Sequence, residues 1–146
     1  MAGFEVIKDI DDKGLKKLPI ASTAYTANDL LELTAGSTTW AAVTSSSNYF
    51  SRKAIAQETV TSSATEILCY ELSGTETVRA ESANNGNTAH NGDRMLATDS
   101  NTVNNTGTDN TSQNVIFVQD GIAGAVADKR LIGRIIVGPS VDPDAT

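Results

Sequence analysis

Short apolar runs alternate with turn residues along most of the chain. The pattern is clearest in "TEILCYELSGTETVRAES", where two alternating runs flank Ser73 and Gly74. A period of two is typical of strands, and turn signals at this spacing favour a sandwich or a barrel. Abundant Thr favours strands, whereas Asn and Gly favour turns. The sequence therefore predicts an all-β fold with a tight hairpin at Ser73-Gly74.

The first of these two runs has apolar side chains on both faces. Leu68, Tyr70 and Leu72 share one face, and Ile67 and Cys69 share the other. Such a strand is expected to be covered on each side. Cys69 is then a buried small hydrophobic residue rather than a nucleophile.

The last third of the chain predicts two further strands, within "NVIFVQDGIAGAVADKRLIGRIIVGP". Gly133 interrupts the second of them and indicates a bulge or a close approach of another backbone. A polar tract from Asn84 to Asn114 precedes both strands. We expect this tract to be a long surface loop region, broken by a strand at "DRMLATD", that forms a rim or a lateral contact.

Residues 1–19 differ in character from the rest of the chain because apolar residues are isolated among charges. The segment ends at Pro19, which cannot donate to a sheet and is a poor central-strand residue. We expect an extended N-terminal arm at 1–19 that docks on another molecule. A single β domain is expected at 20–138, with a short exposed C-terminal tail at 139–146.

Charge and cysteine content exclude several classes of protein. The formal net charge is −7, which argues against a nucleic-acid partner because phosphate binding needs a basic surface. The chain has one cysteine, so an internal disulfide is not expected. There is no long apolar segment of the signal-peptide or membrane-spanning kind. We expect a protein made in the cytoplasm, with no membrane partner.

No catalytic or metal-binding motif is present in the sequence. His90 is the one histidine, and no G-x-S-x-G accompanies it. Oxygen ligands for calcium are plentiful in "DSNTVNNTGTD", but the EF-hand spacing is absent and a plain loop is favoured. Paired carboxylates could be chosen among Glu58, Glu66, Glu71, Glu76 and Glu81, which are expected on solvent faces of strands. The sequence predicts a protein that is not an enzyme and has no cofactor.

Four stretches in order along the chain resemble bacteriophage capsid decoration proteins, also called head cement proteins. They are "STAYTANDLLEL", "TSSATEILCYEL", "RMLATDSNTVNNTGTD" and "FVQDGIAGAVADKRLIGRIIV", and they cover most of residues 20–137. The resemblance implies a single β-barrel or β-tulip-like domain on the outer capsid surface of the virion. It also implies a homotrimer that binds the assembled head and clamps neighbouring major capsid protein subunits. It assigns a role to no individual residue.

Candidate contact residues follow from the isolated apolar and basic side chains of the arm. The predicted capsid-contact residues are Phe4, Val6, Ile7, Lys8, Ile10, Lys16 and Lys17. Trp40, Tyr49 and Phe50 are predicted at an interface between subunits, where aromatic residues are enriched, or else in the core. The alternative function is a glycan-binding β module on a virion or cell surface, in which Trp40, Tyr49 and the Asn-rich loop hold the sugar.

Overall fold

A computed structural model of the chain describes residues 3–10, 12–106 and 111–138. Within them there are eleven strands and three 3-10 turns, so the all-β prediction is confirmed. The strands are β1 (Phe4–Lys8), β2 (Leu15–Pro19), β3 (Leu30–Leu33), β4 (Ala41–Ala42), β5 (Arg52–Ala56), β6 (Glu66–Glu71), β7 (Thr77–Glu81), β8 (Arg94–Asp99), β9 (Thr102–Asn104), β10 (Phe117–Ile122) and β11 (Arg130–Ile135). The 3-10 turns are Asp12–Gly14, Thr88–His90 and Val126–Asp128.

The strands form two antiparallel sheets rather than the closed barrel that was one of the expected architectures. One sheet has six strands in the order β1-β7-β11-β10-β8-β9, and the other has five in the order β2-β6-β5-β3-β4. Each sheet curls far enough to make one isolated parallel bridge, Ile20 with Trp40 and Ser82 with Val103. A single bridge is not a hydrogen-bonded ladder, so among the described strands neither sheet closes.

Two apolar cores lie on opposite faces of the five-stranded sheet. The first fills the space between the sheets and contains Tyr70 and Leu72, together with residues from the inner face of the six-stranded sheet. The second contains Ile67 and Cys69 and is closed by Trp40. The prediction that β6 is covered on both sides is confirmed, and Cys69 is fully buried as expected. Burial on both faces explains why β6 alternates between two sets of apolar residues instead of apolar and polar ones.

The predicted hairpin at Ser73-Gly74 is wrong, because the strands on either side belong to different sheets. β6 pairs with β2 and β5, whereas β7 pairs with β1 and β11. The connection is held by Glu76, whose buried carboxylate accepts hydrogen bonds from the backbone N–H groups of Ser73 and Gly74 at 3.0–3.1 Å. Gly74 has φ 96°, which glycine adopts without strain. This turn therefore carries the chain from one sheet to the other.

The structure describes most of residues 1–19, and they contain two sheet strands instead of the predicted N-terminal arm. β1 pairs with β7, with Glu5 opposite Arg79. β2 pairs with β6, with Leu18 opposite Ile67. Phe4 and Leu18 are buried, one in each core, and this burial holds both segments on the body. The two segments are edge strands, and the predicted tail at 139–146 lies outside the described residues.

The polar tract contains more regular structure than the sequence predicts. The strand expected at "DRMLATD" is confirmed as β8, and it pairs with a second, short strand, β9. Residues 107–110 of the tract lie outside the described residues. No helix among the residues that the structure describes has the length and apolar character needed to cross a bilayer.

Candidate functional site

Exposed apolar side chains are concentrated at the first two strands. Among the residues that the structure describes, the exposed large hydrophobic ones are Ile7, Ile10, Leu15, Phe50 and Val126. Three of these five fall between positions 7 and 15, where β1 ends and β2 begins. Ile10 is 62% exposed and Leu15 is 50% exposed. We call Ile7, Ile10 and Leu15 the edge patch, and its exposed apolar surface is suited to contact with another protein.

The predicted capsid-contact residues on β1 have different positions in the structure. Phe4 is fully buried in the first core and has no surface to offer a partner. Val6 is half-buried and packs against the same core. Ile7, Lys8 and Ile10 are exposed. Phe4 and Val6 therefore hold β1 in place. Ile7, Lys8 and Ile10 remain accessible to a partner.

Lys16 and Lys17 are exposed but are matched by carboxylates of the same molecule. Lys16 Nζ lies 2.9 Å from Glu71 Oε1, and Arg52 donates to the same carboxylate through Nε at 2.7 Å. Lys17 Nζ lies 3.3 Å from Glu58 Oε2. Exposed ion pairs of this kind contribute little to stability. Both ammonium groups can therefore exchange partners at low cost.

A groove of about 290 Å³ lies beside the edge patch. Ile10 and Leu15 line it together with Val6, Asn28 and Tyr70. Leu15 was not among the predicted contact residues. Because it lies three positions before the buried Leu18 on one strand, its side chain points to the opposite face and stays exposed. Once residues 15–19 are assigned to a strand, the three-residue spacing of the two leucines in "LKKLP" places them on opposite faces.

The three predicted aromatic contact residues are not equally accessible. Trp40 is 3% exposed in the second core, and the guanidinium carbon of Arg52 lies 5.4 Å from the centroid of its ring. The rings of Tyr49 and Phe50 have centroids 4.2 Å apart and are tilted by 32°. Tyr49 is half-buried, and Phe50 is 39% exposed at a cavity of about 220 Å³. Of the three, Phe50 offers the most surface to a partner.

Asparagines of the polar tract bind their own loop. Asn84 N–H donates to Asn105 Oδ1 at 2.9 Å, and Asn105 Nδ2 donates to the carbonyl oxygen of Asn84 at 3.0 Å. His90 Nδ1 lies 2.8 Å from Asp93 Oδ2 within a single turn. No group of three His, Cys, Asp or Glu side chains converges as a metal site within the described parts of the chain. These contacts fit the expectation of side chains that stabilise a surface loop.

A buried polar cluster lies at one end of the space between the sheets, and sequence reasoning missed it. Lys53 is fully buried and donates to the carbonyl oxygens of Asn48 and Ser51 at 2.8 and 3.0 Å, and to Ser51 Oγ at 2.7 Å. Ser51 Oγ in turn donates to Glu32 Oε1 at 2.7 Å, and Ser47 Oγ donates to Glu32 Oε2. Lys53 and Glu32 are thus joined through one hydroxyl group.

Stability is expected to depend on pH through Lys53. Burial lowers the pKa of Lys53 from 10.5 to about 8, although the charge of Glu32 opposes the shift. Between these two values the unfolded chain keeps a proton that the folded chain has lost, so the free energy of unfolding rises with pH. From pH 8 to pH 9 the expected gain is about 1 kcal/mol. Urea unfolding at the two pH values measures it.

Cys69 has the opposite effect at higher pH, because burial raises the pKa of its thiol from 9.0 to about 12. The stability that this shift contributes is complete below pH 9 and is lost as the pH rises through about 12. The rise due to Lys53 is therefore clearest below pH 9. The double variant Glu32→Gln/Lys53→Met should not show it, and an equal rise in that variant would contradict the assignment.

The described residues thus place an exposed apolar edge patch beside a groove, with the exposed Lys8 next to Ile7 on β1 and the exposed Lys17 on the same face of β2 as Leu15. Of the predicted contact residues, Ile7, Lys8 and Ile10 contribute to this surface and Val6 lines the groove. Phe4 and Trp40 are buried in the two cores, and Phe50 lies at a different cavity. Such a surface can bind another protein by apolar burial together with weak, adjustable ion pairs. Comparison of the chain with protein-family models, with curated proteins and with solved structures gave no match.

Proposed function

We propose that the protein is a structural bacteriophage capsid decoration protein. In this proposal it binds the outer surface of the assembled head, bridges neighbouring major capsid protein subunits as a homotrimer, and catalyses no reaction. The four stretches that resemble head cement proteins motivate the proposal. It also identifies the two-sheet body with the β-tulip-like domain that this resemblance implies.

The observation that carries the proposal furthest is the edge patch. Burying one large aliphatic side chain contributes about 1.5–3 kcal/mol, so exposed Ile10 and Leu15 are a source of binding energy that the isolated chain does not use. The exposed Lys8 beside the patch adds a group that favours an acidic partner surface. A groove between Ile10 and Leu15 gives a projecting side chain of the partner a place to enter.

Repetition on a lattice makes such a modest contact sufficient. When one copy in a trimer is bound, the other contacts form at high effective concentration, and avidity exceeds single-site affinity by roughly 10²–10⁴. A protein that binds the assembled shell more tightly than separate subunits stabilises the shell by mass action. Neither effect requires a reactive group.

Replacing Ile10 and Leu15 together by Glu is expected to weaken binding to heads by about a hundredfold or more, because two buried aliphatic contacts are lost. Purified protein is mixed with empty expanded heads of the phage that encodes it, and the bound fraction is measured by sedimentation. The matched control is Val126→Glu, which places the same charge on another exposed aliphatic residue, outside the edge patch. Both variants should unfold at the same temperature as the native protein, within about 2 °C, since the changes are on the surface.

Two results would contradict the proposal at different levels. Full occupancy by the Ile10→Glu/Leu15→Glu variant would show that the edge patch is not the contact. Failure of the native protein to sediment with heads would remove the decoration function itself. Deleting residues 2–18 is a poorer test, because it would remove β1 and most of β2 along with the buried Phe4 and Leu18.

A further inference from the structure

The outer faces of the two sheets differ in what covers them. The five-stranded sheet carries the second core on its face away from the six-stranded sheet. In the six-stranded sheet, apolar residues of the first core occupy one face only. Its other face remains open to solvent among the residues that the structure describes, and Val118 and Ile132 are half-buried there. A solvent-facing sheet surface normally carries polar residues at such central positions.

Arginines surround these two aliphatic residues in the sheet register. Val118 on β10 lies directly opposite Arg134 on β11 and Arg94 on β8. Ile132 on β11 lies directly opposite Arg79 on β7. Side chains at directly opposed positions are about 4.5–5.5 Å apart at Cβ, so each aliphatic side chain lies beside an arginine side chain. We call this surface the arginine face.

The arginine face has a charge unlike that of the rest of the molecule. Arg130 also projects from it, so it holds four of the five arginines in a chain with net charge −7. The opposing carboxylates on its strands are Glu5, Glu81 and Asp120. Glu5 lies 2.6 Å from Arg79 in a half-buried pair. Asp120 lies 3.2 Å from Arg134 in an exposed pair, which a partner can replace at low cost.

The choice of arginine also points to a protein interface. β7, β8, β10 and β11 contain no lysine. Interfaces are enriched in Arg and depleted in Lys around an apolar centre, because the planar guanidinium group binds carboxylates in a bidentate way and loses less hydration. The centre of this face lies on β10 and β11, two strands away from β1, and is separate from the edge patch.

We propose that the arginine face is a second docking surface, which binds an acidic protein. Carboxylates of the partner meet the guanidinium groups of Arg79, Arg94, Arg130 and Arg134, and an apolar side chain of the partner covers Val118 and Ile132. The proposal does not depend on capsid binding. It requires only that the partner presents Asp or Glu around an aliphatic residue.

The test is a titration of the full-length, ¹⁵N-labelled protein followed by NMR. The probe is a blocked pentapeptide that alternates Glu and Val, with the same peptide carrying Lys for Glu as its control. The acidic peptide is expected to shift amide signals of β10 and β11, and raising the salt from about 0.02 M to about 0.3 M should weaken binding severalfold. The Arg94→Gln/Arg130→Gln variant should bind about fivefold more weakly. Lys129→Gln removes a neighbouring charge in the turn between these strands and should leave binding unchanged.

Three outcomes would overturn the proposal. The first is equal binding of the lysine peptide. The second is equal weakening by Arg94→Gln/Arg130→Gln and by Lys129→Gln. The third is tighter binding of a thymidine oligonucleotide of the same charge to the same residues, which would make the face a site for nucleic acid.

Discussion

Lys53→Met is expected to lower the free energy of unfolding by about 3–5 kcal/mol at pH 7, because breaking a buried charge pair leaves the other charge uncompensated. The remaining charge is the Glu32 carboxylate, which is 8% exposed. The carbonyl oxygens of Asn48 and Ser51 also lose a donor. Met keeps most of the apolar stem, so the loss reports the ammonium group rather than a cavity. Urea unfolding of the two proteins at pH 7 measures the difference.

A double variant separates the charge pair from the packing around it. Glu32→Gln/Lys53→Met removes both charges and is expected to recover at least about 2 kcal/mol of the loss, since replacing both members of a buried pair is often close to neutral. If the double variant is less stable than Lys53→Met alone, Glu32 is not compensated by Lys53. A loss below about 1 kcal/mol in the single variant would contradict the expectation as well.

Gly133→Ala is expected to cost about 3 kcal/mol or more, because the added methyl group has no space. A Cβ at this position would overlap the carbonyl oxygen of Val118 and would lie 2.6 Å from Cζ of Phe117. Both neighbours belong to β10, which pairs with β11 through Gln119 and Gly133. Relief requires that the two strands move apart in the middle of the sheet. Thermal and urea unfolding measure the loss.

Gly121 on the partner strand is the matched control. A Cβ there would meet nothing within 4 Å, and its φ is not in the left-handed region. Gly121→Ala is therefore expected to be neutral or to stabilise the protein by about 0.4–1 kcal/mol through a less flexible unfolded chain. Equal losses at the two glycines would show that the close approach at Gly133 is not the cause.

Local pattern in the sequence predicted local structure well. The two-sided alternation around Cys69 predicted a strand between two cores, and Gly133 predicted the close backbone approach. The sequence pattern could not show which strands pair with each other. The run "TEILCYELSGTETVRAES" reads as a hairpin because a turn separates two strands, yet nothing local says that these strands pair with residues far away. The first two strands resemble an arm in the sequence for the same reason.

Sequence patterns likewise predicted some of the candidate site residues and missed others. Isolated apolar and basic residues in a charged segment predict Ile7, Lys8 and Ile10 as contact residues, and all three are exposed. The Lys53 cluster was missed because Glu32 lies 21 positions earlier in the chain, and "RKAIA" gives no sign that its lysine points inward. The arginine face was missed because it joins residues from four strands, which only the sheet order brings together.

β7 lies between two strands that are far from it in the chain. It must receive β1 on one side, at Glu5 and Arg79, and β11 on the other, at Ala80 and Leu131. Pairing over such sequence separations makes folding slow, on the order of milliseconds to seconds. The entropy of closing a long loop is lost before the contacts between the strands can form. During synthesis, the edge of β7 that pairs with β11 therefore stays unpaired until residues 130–135 leave the ribosome. Nascent chains held in this interval, rather than mature molecules, are where we expect chaperones to act and neighbouring chains to aggregate.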